Sequence, residues 1–277
     1  MNKLILTRIF KRKQFIMLLL ATVIINYFNF FKTNNEITYV NLFPLQSAWN
    51  MNMMMTGEST LGGIMYLFLS FIIASLALSD SLVEDRKSGF ENQLLVRMNK
   101  RDYLRSVYIY NFIFGGLFVI FPYLINILLW LMVRPMFAMN YISASLINQA
   151  FLSDLFIKSP VLFLLVHIFI VFIVGGIMSS LALIINDKFN NKYVGGLAVL
   201  IIDIIASILN QIYVFTTEDY ASFVGLKDLV INRVLPDNLL NWIYILLAVF
   251  IPIFFLIKKS RKEEIIWTYF IEILSTN

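Results

Sequence analysis

The stretch PVLFLLVHIFIVFIVGGIMSSLALIIN, residues 160–186, has no Lys, Arg, Asp or Glu in 27 positions. As a helix it is about 40 Å long at a ~1.5 Å rise, and it is apolar on every side. Such a helix belongs in a large core or in lipid. A bilayer core of ~30 Å requires about 20 apolar residues, so this stretch has the length of a membrane span. Working outward, five more stretches share its character: Phe15–Phe31, Leu61–Ser79, Ser106–Val133, Tyr193–Phe215 and Leu239–Ile257. None contains Lys or Arg, and Asp203 is the one acidic residue among them. Basic residues precede the first stretch, as in a secretory signal. However, it exceeds the usual apolar region of ~7–15 residues, and no small-x-small cleavage site follows at Asn29–Asn35, so it reads as a retained helix.

Composition agrees. Of 277 residues, 60% are hydrophobic and 14% charged, against ~45–50% and ~25% in soluble domains. Polar groups are too few to cover a globule in water, and the chain is too apolar for disorder. With no cysteine, disulfide scaffolds, thiolate metal sites, haem attachment and Cys nucleophiles are excluded. A single histidine, His167, cannot build a multi-His metal site within one chain. The expected fold is an all-α membrane protein, one domain over residues 1–277, with no linker and no internal repeat.

Orientation follows from the basic residues. Seventeen of the 22 lie in the N-terminal segment, the loops Asp80–Arg105 and Asp187–Lys192, and the tail after Ile257. Five (Lys32, Arg134, Lys158, Lys227 and Arg233) lie in the alternate connections. A bias that alternates with each crossing predicts six spans with both termini cytoplasmic. The net charge of +5 then reflects anchors for anionic lipid, and no motif for nucleic acid stands apart from it.

Residues 1–14 read as an interfacial helix, with Ile5/Ile9 and Leu6/Phe10 at i,i+4 and basic residues mostly opposite. An unstructured basic flank is the plainer alternative. In the 80–105 loop, Ser88-Gly89-Phe90-Glu91 matches the S-x-x-E capping box, and Phe90, Leu94, Leu95 and Met98 follow at helical spacing. Arg97, Lys100, Arg101 and Arg105 gather towards the end of that short helix, where the dipole favours cations. Its apolar face lies either on lipid headgroups or in a partner. The loops 32–60 and 134–159 are rich in aromatics and Met and are expected along the outer surface. Residues 216–238 are too polar at first to span, yet apolar enough later to dip into the outer leaflet.

An ionised Asp203 in mid-span costs at least ~2.5–3.5 kcal/mol and should face protein or water. It is either a proton or substrate site or a protonated partner in a helix–helix hydrogen bond. Spans four and five form a hairpin about Asn190, placing Asp203 and His167 some 15 Å apart in depth. Direct pairing is not expected, and His167 is nearer in level to Asn210 and Gln211. Eight of eleven glycines form doublets inside spans: Gly62-Gly63, Gly115-Gly116, Gly175-Gly176 and Gly195-Gly196. They suit close helix packing, with Gly175-Gly176 also a possible hinge, Gly176 being level with Asp203. Pro122 and Pro252 are expected to kink their helices.

Catalytic signatures are missing: there is no G-x-S-x-G, H-E-x-x-H or Gly-Lys-Ser/Thr. Phe163-x-x-x-His167 matches one motif of membrane CAAX-type proteases, whose Glu-Glu-x-x-x-Arg and second His are absent. Six spans, a basic amphipathic start, and Glu84-Asp85-Arg86-Lys87-Ser88-Gly89-Phe90-Glu91-Asn92-Gln93-Leu94-Leu95-Val96-Arg97 followed by Tyr103 together resemble the type-2 ATP-binding-cassette permeases. The resemblance implies an exporter permease rather than an enzyme, with Ser88, Phe90, Glu91, Leu94, Leu95 and Arg97 coupling to a separate ATPase. It implies two ATPase copies, a second permease, identical or homologous, and Gly225–Asn238 as a re-entrant piece. No cofactor belongs to this chain, and ATP and Mg belong to the partner ATPase. Few fixed charges along the path suit amphipathic, lipid-like or hydrophobic peptide cargo. The expected location is a bacterial plasma membrane, amid its lipids. Two alternatives stay open: an intramembrane enzyme using Asp203 and His167, and a non-transporting immunity or anchor subunit.

Overall fold

The computed structural model describes residues 12–34, 47–51, 53, 60–96, 99–136, 155, 158–217, 226, 230, 243 and 246–258. Among these the secondary structure is helical, without strands. In chain order the helices are α1 (Lys13–Asn26, continued by a π-helical turn Tyr27–Lys32), α2 (Ala48–Met51), α3 (Leu61–Ser75), α4 (Ser81–Lys87) and α5 (Phe90–Leu95). Then come α6 (Lys100–Val133), α7 (Pro160–Phe189), α8 (Val194–Thr217) and α9 (Leu246–Lys258). Three segments are long and apolar enough to cross a bilayer: Lys13–Lys32, α6 and α7. Three shorter apolar ones are α3, Val194–Ala206 of α8, and α9. Each of the six apolar stretches thus contains helix among the described residues, in a chain consistent with a membrane-embedded protein.

The packing is that of a protein solvated by lipid. Away from their ends the long helices expose apolar positions, among them Val23, Leu128, Leu165, Phe169 and Ile201. Buried positions include Asn26, Asn29, Asn126, Ser179 and Asn186. Hydrocarbon replaces water outside, so apolar side chains lose nothing by facing outward and polar ones must find partners within.

Central to the bundle is the crossing of α6 and α7, and glycine sets its closeness. Gly115 lies against Ser179, and a Cβ on Gly175 would sit 3.0 Å from the Val119 side chain. Both helices continue unbroken past these residues. Gly195 similarly lets α8 approach the Ala182 carbonyl, and Gly196 lies against Ser75. Small residues give backbones the close approach from which membrane helices gain dispersion energy. α6 also runs through Pro122. Nearby carbonyls find partners: the Tyr66 hydroxyl donates to the Val119 carbonyl (2.8 Å) and the Asn26 amide to that of Pro122 (3.2 Å).

At one end of the bundle three asparagines form a buried knot. Asn126 Nδ2 donates to Asn29 Oδ1 (2.7 Å) and Asn26 Oδ1 (3.1 Å), and its own Oδ1 accepts the Met53 N–H (2.7 Å). Asn29 Nδ2 donates to Thr60 Oγ1 (2.9 Å), the residue that caps α3. Asn26, Asn29 and Phe30, spaced i, i+3, i+4, share the inner face where the π turn begins. The described pieces of the 32–60 loop are not spread on the surface as expected. Ala48 and Met53 are buried, Ala48 with Phe30 and Trp130, and the Ala48 N–H reaches the Pro135 carbonyl (3.1 Å). The amides of the knot draw the loop backbone inward because no water is there to satisfy it.

Three local expectations need correction. The second span ends as helix at Ser75, followed by turn at 76–80. The capping box does not form. Ser88 ends α4, its hydroxyl turned back to the Asp85 carbonyl (3.3 Å), and Gly89 at φ 72° precedes α5. A left-handed residue between the two short helices removes Ser88 from the geometry in which it could cap the second. Finally, Lys100, Arg101 and Arg105 belong to the start of α6, the positive end of its dipole, rather than to the end of the loop helix. Arg97 and Met98 lie outside the described residues, as do the 1–11 segment, the 134–159 loop beyond 136 apart from residues 155, 158 and 159, and the tail after 258.

Candidate functional site

The connection between α3 and α6 is built as a braced platform. Asp80 just before α4 and Glu84 on it, one helical turn apart, leave one face acidic enough to attract the N-terminal arginine. Arg12 Nη1 meets Asp80 Oδ1 at 2.6 Å, its Nη2 pairs with Glu84, and Gln14 Nε2 adds a bond to Asp80 Oδ2 (3.2 Å). The Arg12 side chain is only 9% exposed. Next on α4, Asp85 is buried and accepts the Tyr103 hydroxyl at 2.6 Å, tying the platform to α6. Arg86 faces the other way, to Asp187 Oδ1 at 2.6 Å and Glu91 at 3.8 Å. Burial works against its charge, but the Asp187 hydrogen bond and the charges of Asp187 and Glu91 more than offset that, and its pKa is raised. Lys192 (3.8 Å from Glu84) and Lys100 (3.6 Å from Glu91) close the network.

Four parts of the chain are therefore tied to α4 and α5: the entry to α1, the start of α6, the end of α7 and the turn before α8. Asn186 reinforces this end, donating to the Ser79 carbonyl (3.1 Å) and the Lys192 carbonyl (3.2 Å) and accepting the Gly195 N–H (2.6 Å). Beneath the charges Leu82, Tyr103, Leu104, Val107 and Leu183 form an apolar floor, with Leu94 packed against it.

The expected coupling residues divide accordingly. Leu94 is partly committed to the floor, and Glu91 to its two cations. Phe90 and Leu95 are half-buried, Ser88 is exposed, and Val96 beyond them is 87% exposed. What remains for a visitor is a small apolar edge on a stiff support. Arg12, Asp80, Tyr103, Asp187 and Lys192 were missed as parts of one site. Asp187, for one, lies 101 residues from its partner Arg86 in sequence, and no local pattern encodes such a pairing.

The second constellation is intramembrane. Asp203 is 1% exposed and His167 2%. They do not pair with each other, as the depth difference requires. Each instead takes hold of one nearby piece of backbone: Asp203 Oδ1 accepts the Leu226 N–H at 2.8 Å, and His167 Nε2 stands 3.2 Å from the Val230 carbonyl. A carbonyl only accepts, so Nε2 carries the proton. Phe163 and Tyr123 pack about the ring. The side chains of Asn210 and Gln211 lie outside the described residues. Two polar groups inside the bundle thus hold the α8–α9 connection by its peptide groups, each otherwise costly in hydrocarbon. Gly175 and Gly176 sit in α7 between His167 and Ser179, against Val119 and Phe112 respectively. Among the described residues no group of three or more His, Cys, Asp or Glu could hold a metal ion.

No family model, no curated protein and no solved structure matches the chain.

Proposed function

We propose that the chain is the membrane-spanning permease subunit of an ATP-driven exporter, with six crossings and both termini in the cytoplasm. It works beside a separate ATPase in two copies and a second permease, in a bacterial plasma membrane. The observation that carries this reading is the α4–α5 platform, braced by charge to four other parts of the chain yet turning Phe90, Leu95 and Val96 outward. A lever between a motor and a helix bundle needs those two properties together. It must be stiff towards the bundle, so that a push is not absorbed locally, and apolar towards the motor, so that docking buries surface. The hold of Asp203 and His167 on Leu226 and Val230 supports a re-entrant piece between the fifth and sixth crossings. The chain has no Gly-Lys-Ser/Thr phosphate cradle, so ATP and Mg enter with the partner, and cargo is amphipathic because the bundle offers few fixed charges.

The test is copurification. An ATPase recovered with the tagged chain should lose its association in the Leu95→Asp, Val96→Asp double variant, with the helical circular dichroism unchanged. An ATPase that remains fully associated, or a chain that performs its task with no ATPase present, overturns the reading.

A further inference from the structure

The helices α6, α7 and α9 leave between them an apolar cavity of about 270 Å³. Its walls include Phe112 and Ile113 of α6, Ile177 of α7, and Val249 and Ile253 of α9. Ser180 also lines it, but its hydroxyl is spent on the Gly176 carbonyl at 2.8 Å. Such a wall accepts hydrocarbon and penalises anything that needs a hydrogen bond. The space falls below the ~300–1,000 Å³ of sites that enclose a drug-sized molecule, and suits one flexible chain.

What distinguishes this groove from ordinary lipid-facing surface is its mouth. Tyr108 lines the groove at the end nearest the α4–α5 platform, and Leu256 of α9 packs beside it against the same apolar floor. One helical turn further along that face of α6 stands Arg105, exposed. Among the described residues Arg105 has neither an ion pair nor a hydrogen bond, and Lys258, the last described residue of α9, lies two positions beyond Leu256. α6 is 34 residues long, about 51 Å at ~1.5 Å per residue, so its first turns emerge from the hydrocarbon and carry Arg105 to headgroup depth. An apolar slot that ends at an uncommitted guanidinium matches an amphiphile with a hydrocarbon chain and an anionic head, and guanidinium meets phosphate with paired donors.

We propose that this groove seats one acyl chain of an anionic phospholipid whose phosphate is met by Arg105. The inference is independent of whether an ATPase drives the chain.

Native mass spectrometry of the full chain in detergent, titrated with dioleoyl phosphatidylglycerol or dioleoyl phosphatidylcholine, tests it. The unaltered chain should retain phosphatidylglycerol preferentially, because in phosphatidylcholine the choline cation offsets the phosphate charge that Arg105 would meet. Arg105→Gln should reduce that preference by about fivefold, the factor one basic residue contributes beside anionic lipid, while Lys188→Gln at the same end of the bundle leaves it intact. Val249→Trp, which fills the groove, should lower retention of phosphatidylglycerol. Equal retention of the two lipids by the unaltered chain overturns the proposal. So does a preference that survives Arg105→Gln, or full phosphatidylglycerol retention by a folded Val249→Trp.

Discussion

Among single residues, Arg12 and Arg86 show how burial decides what an ion pair is worth. Both bridge two carboxylates, but the Arg12 side chain is 9% exposed and that of Arg86 42%. Removing Arg12 leaves Asp80 buried without its cation, so Arg12→Gln should lower stability by roughly 3 kcal/mol. Arg86→Gln should cost no more than about 1 kcal/mol, since water screens that pair. Thermal unfolding followed by circular dichroism in one detergent compares them, and equal losses would refute the ranking. Asp203 has a different duty. Because the chain lacks cysteine, a single Leu226→Cys reports on the backbone that Asp203 holds. Maleimide should label it slowly in the parent chain and at least tenfold faster after Asp203→Leu, which removes the acceptor of the Leu226 N–H. Unchanged labelling would mean that the carboxylate does not retain this segment.

Between elements, the α6–α7 crossing is the joint on which the bundle rests, and its closeness has a chemical signature. Gly115 leaves no room for a methyl group against Ser179. Gly115→Ala should therefore destabilise the chain by about 2 kcal/mol, as overpacking of a tight contact does. Ser179→Gly in the same chain should restore part of that loss by vacating the space, although it also removes the 2.8 Å bond to Asn111 Oδ1. Additive losses in a double-mutant cycle would show that the two residues do not share this contact. The glycine doublets announced close packing, yet which helices meet was not readable from them. Any of the four doublets could have faced any other; the pairing of Gly115 with Ser179 and of Gly195 with Ala182 depends on the bundle's arrangement.

At the scale of the whole molecule, the contacts sort the connections into two ends. Arg12, the 76–99 connection, Asp187 and Lys192 meet at one; Asn29, Thr60, Trp130 and Arg134 lie towards the other, where Arg134 Nη2 bonds Asn34 Oδ1 at 2.6 Å. Among the described residues, Arg12 and Lys192 fall at the first end and Arg134 at the second. Single cysteines at Ser88 and Lys188 should accordingly react with an impermeant maleimide from one face of the membrane, and one at Met136 from the opposite face. Labelling of Ser88→Cys and Met136→Cys from the same face would break the alternation. The place and apolar character of the long helices were legible in sequence because each is a property of a contiguous stretch: twenty or so residues without charge need an apolar surrounding wherever the rest of the chain goes. The same holds for the prominence of Asp203, a lone carboxylate in such a stretch. Tertiary structure alone decided that Asp203 and His167 hold Leu226 and Val230, that Asn26, Asn29 and Asn126 form one knot, and that Ser88 does not cap α5 while Arg12 locks Asp80 and Glu84. Those pairings join residues distant in sequence, and a hydrogen bond or ion pair is selected by which groups burial leaves within about 3 Å of each other, a distance that no local pattern records.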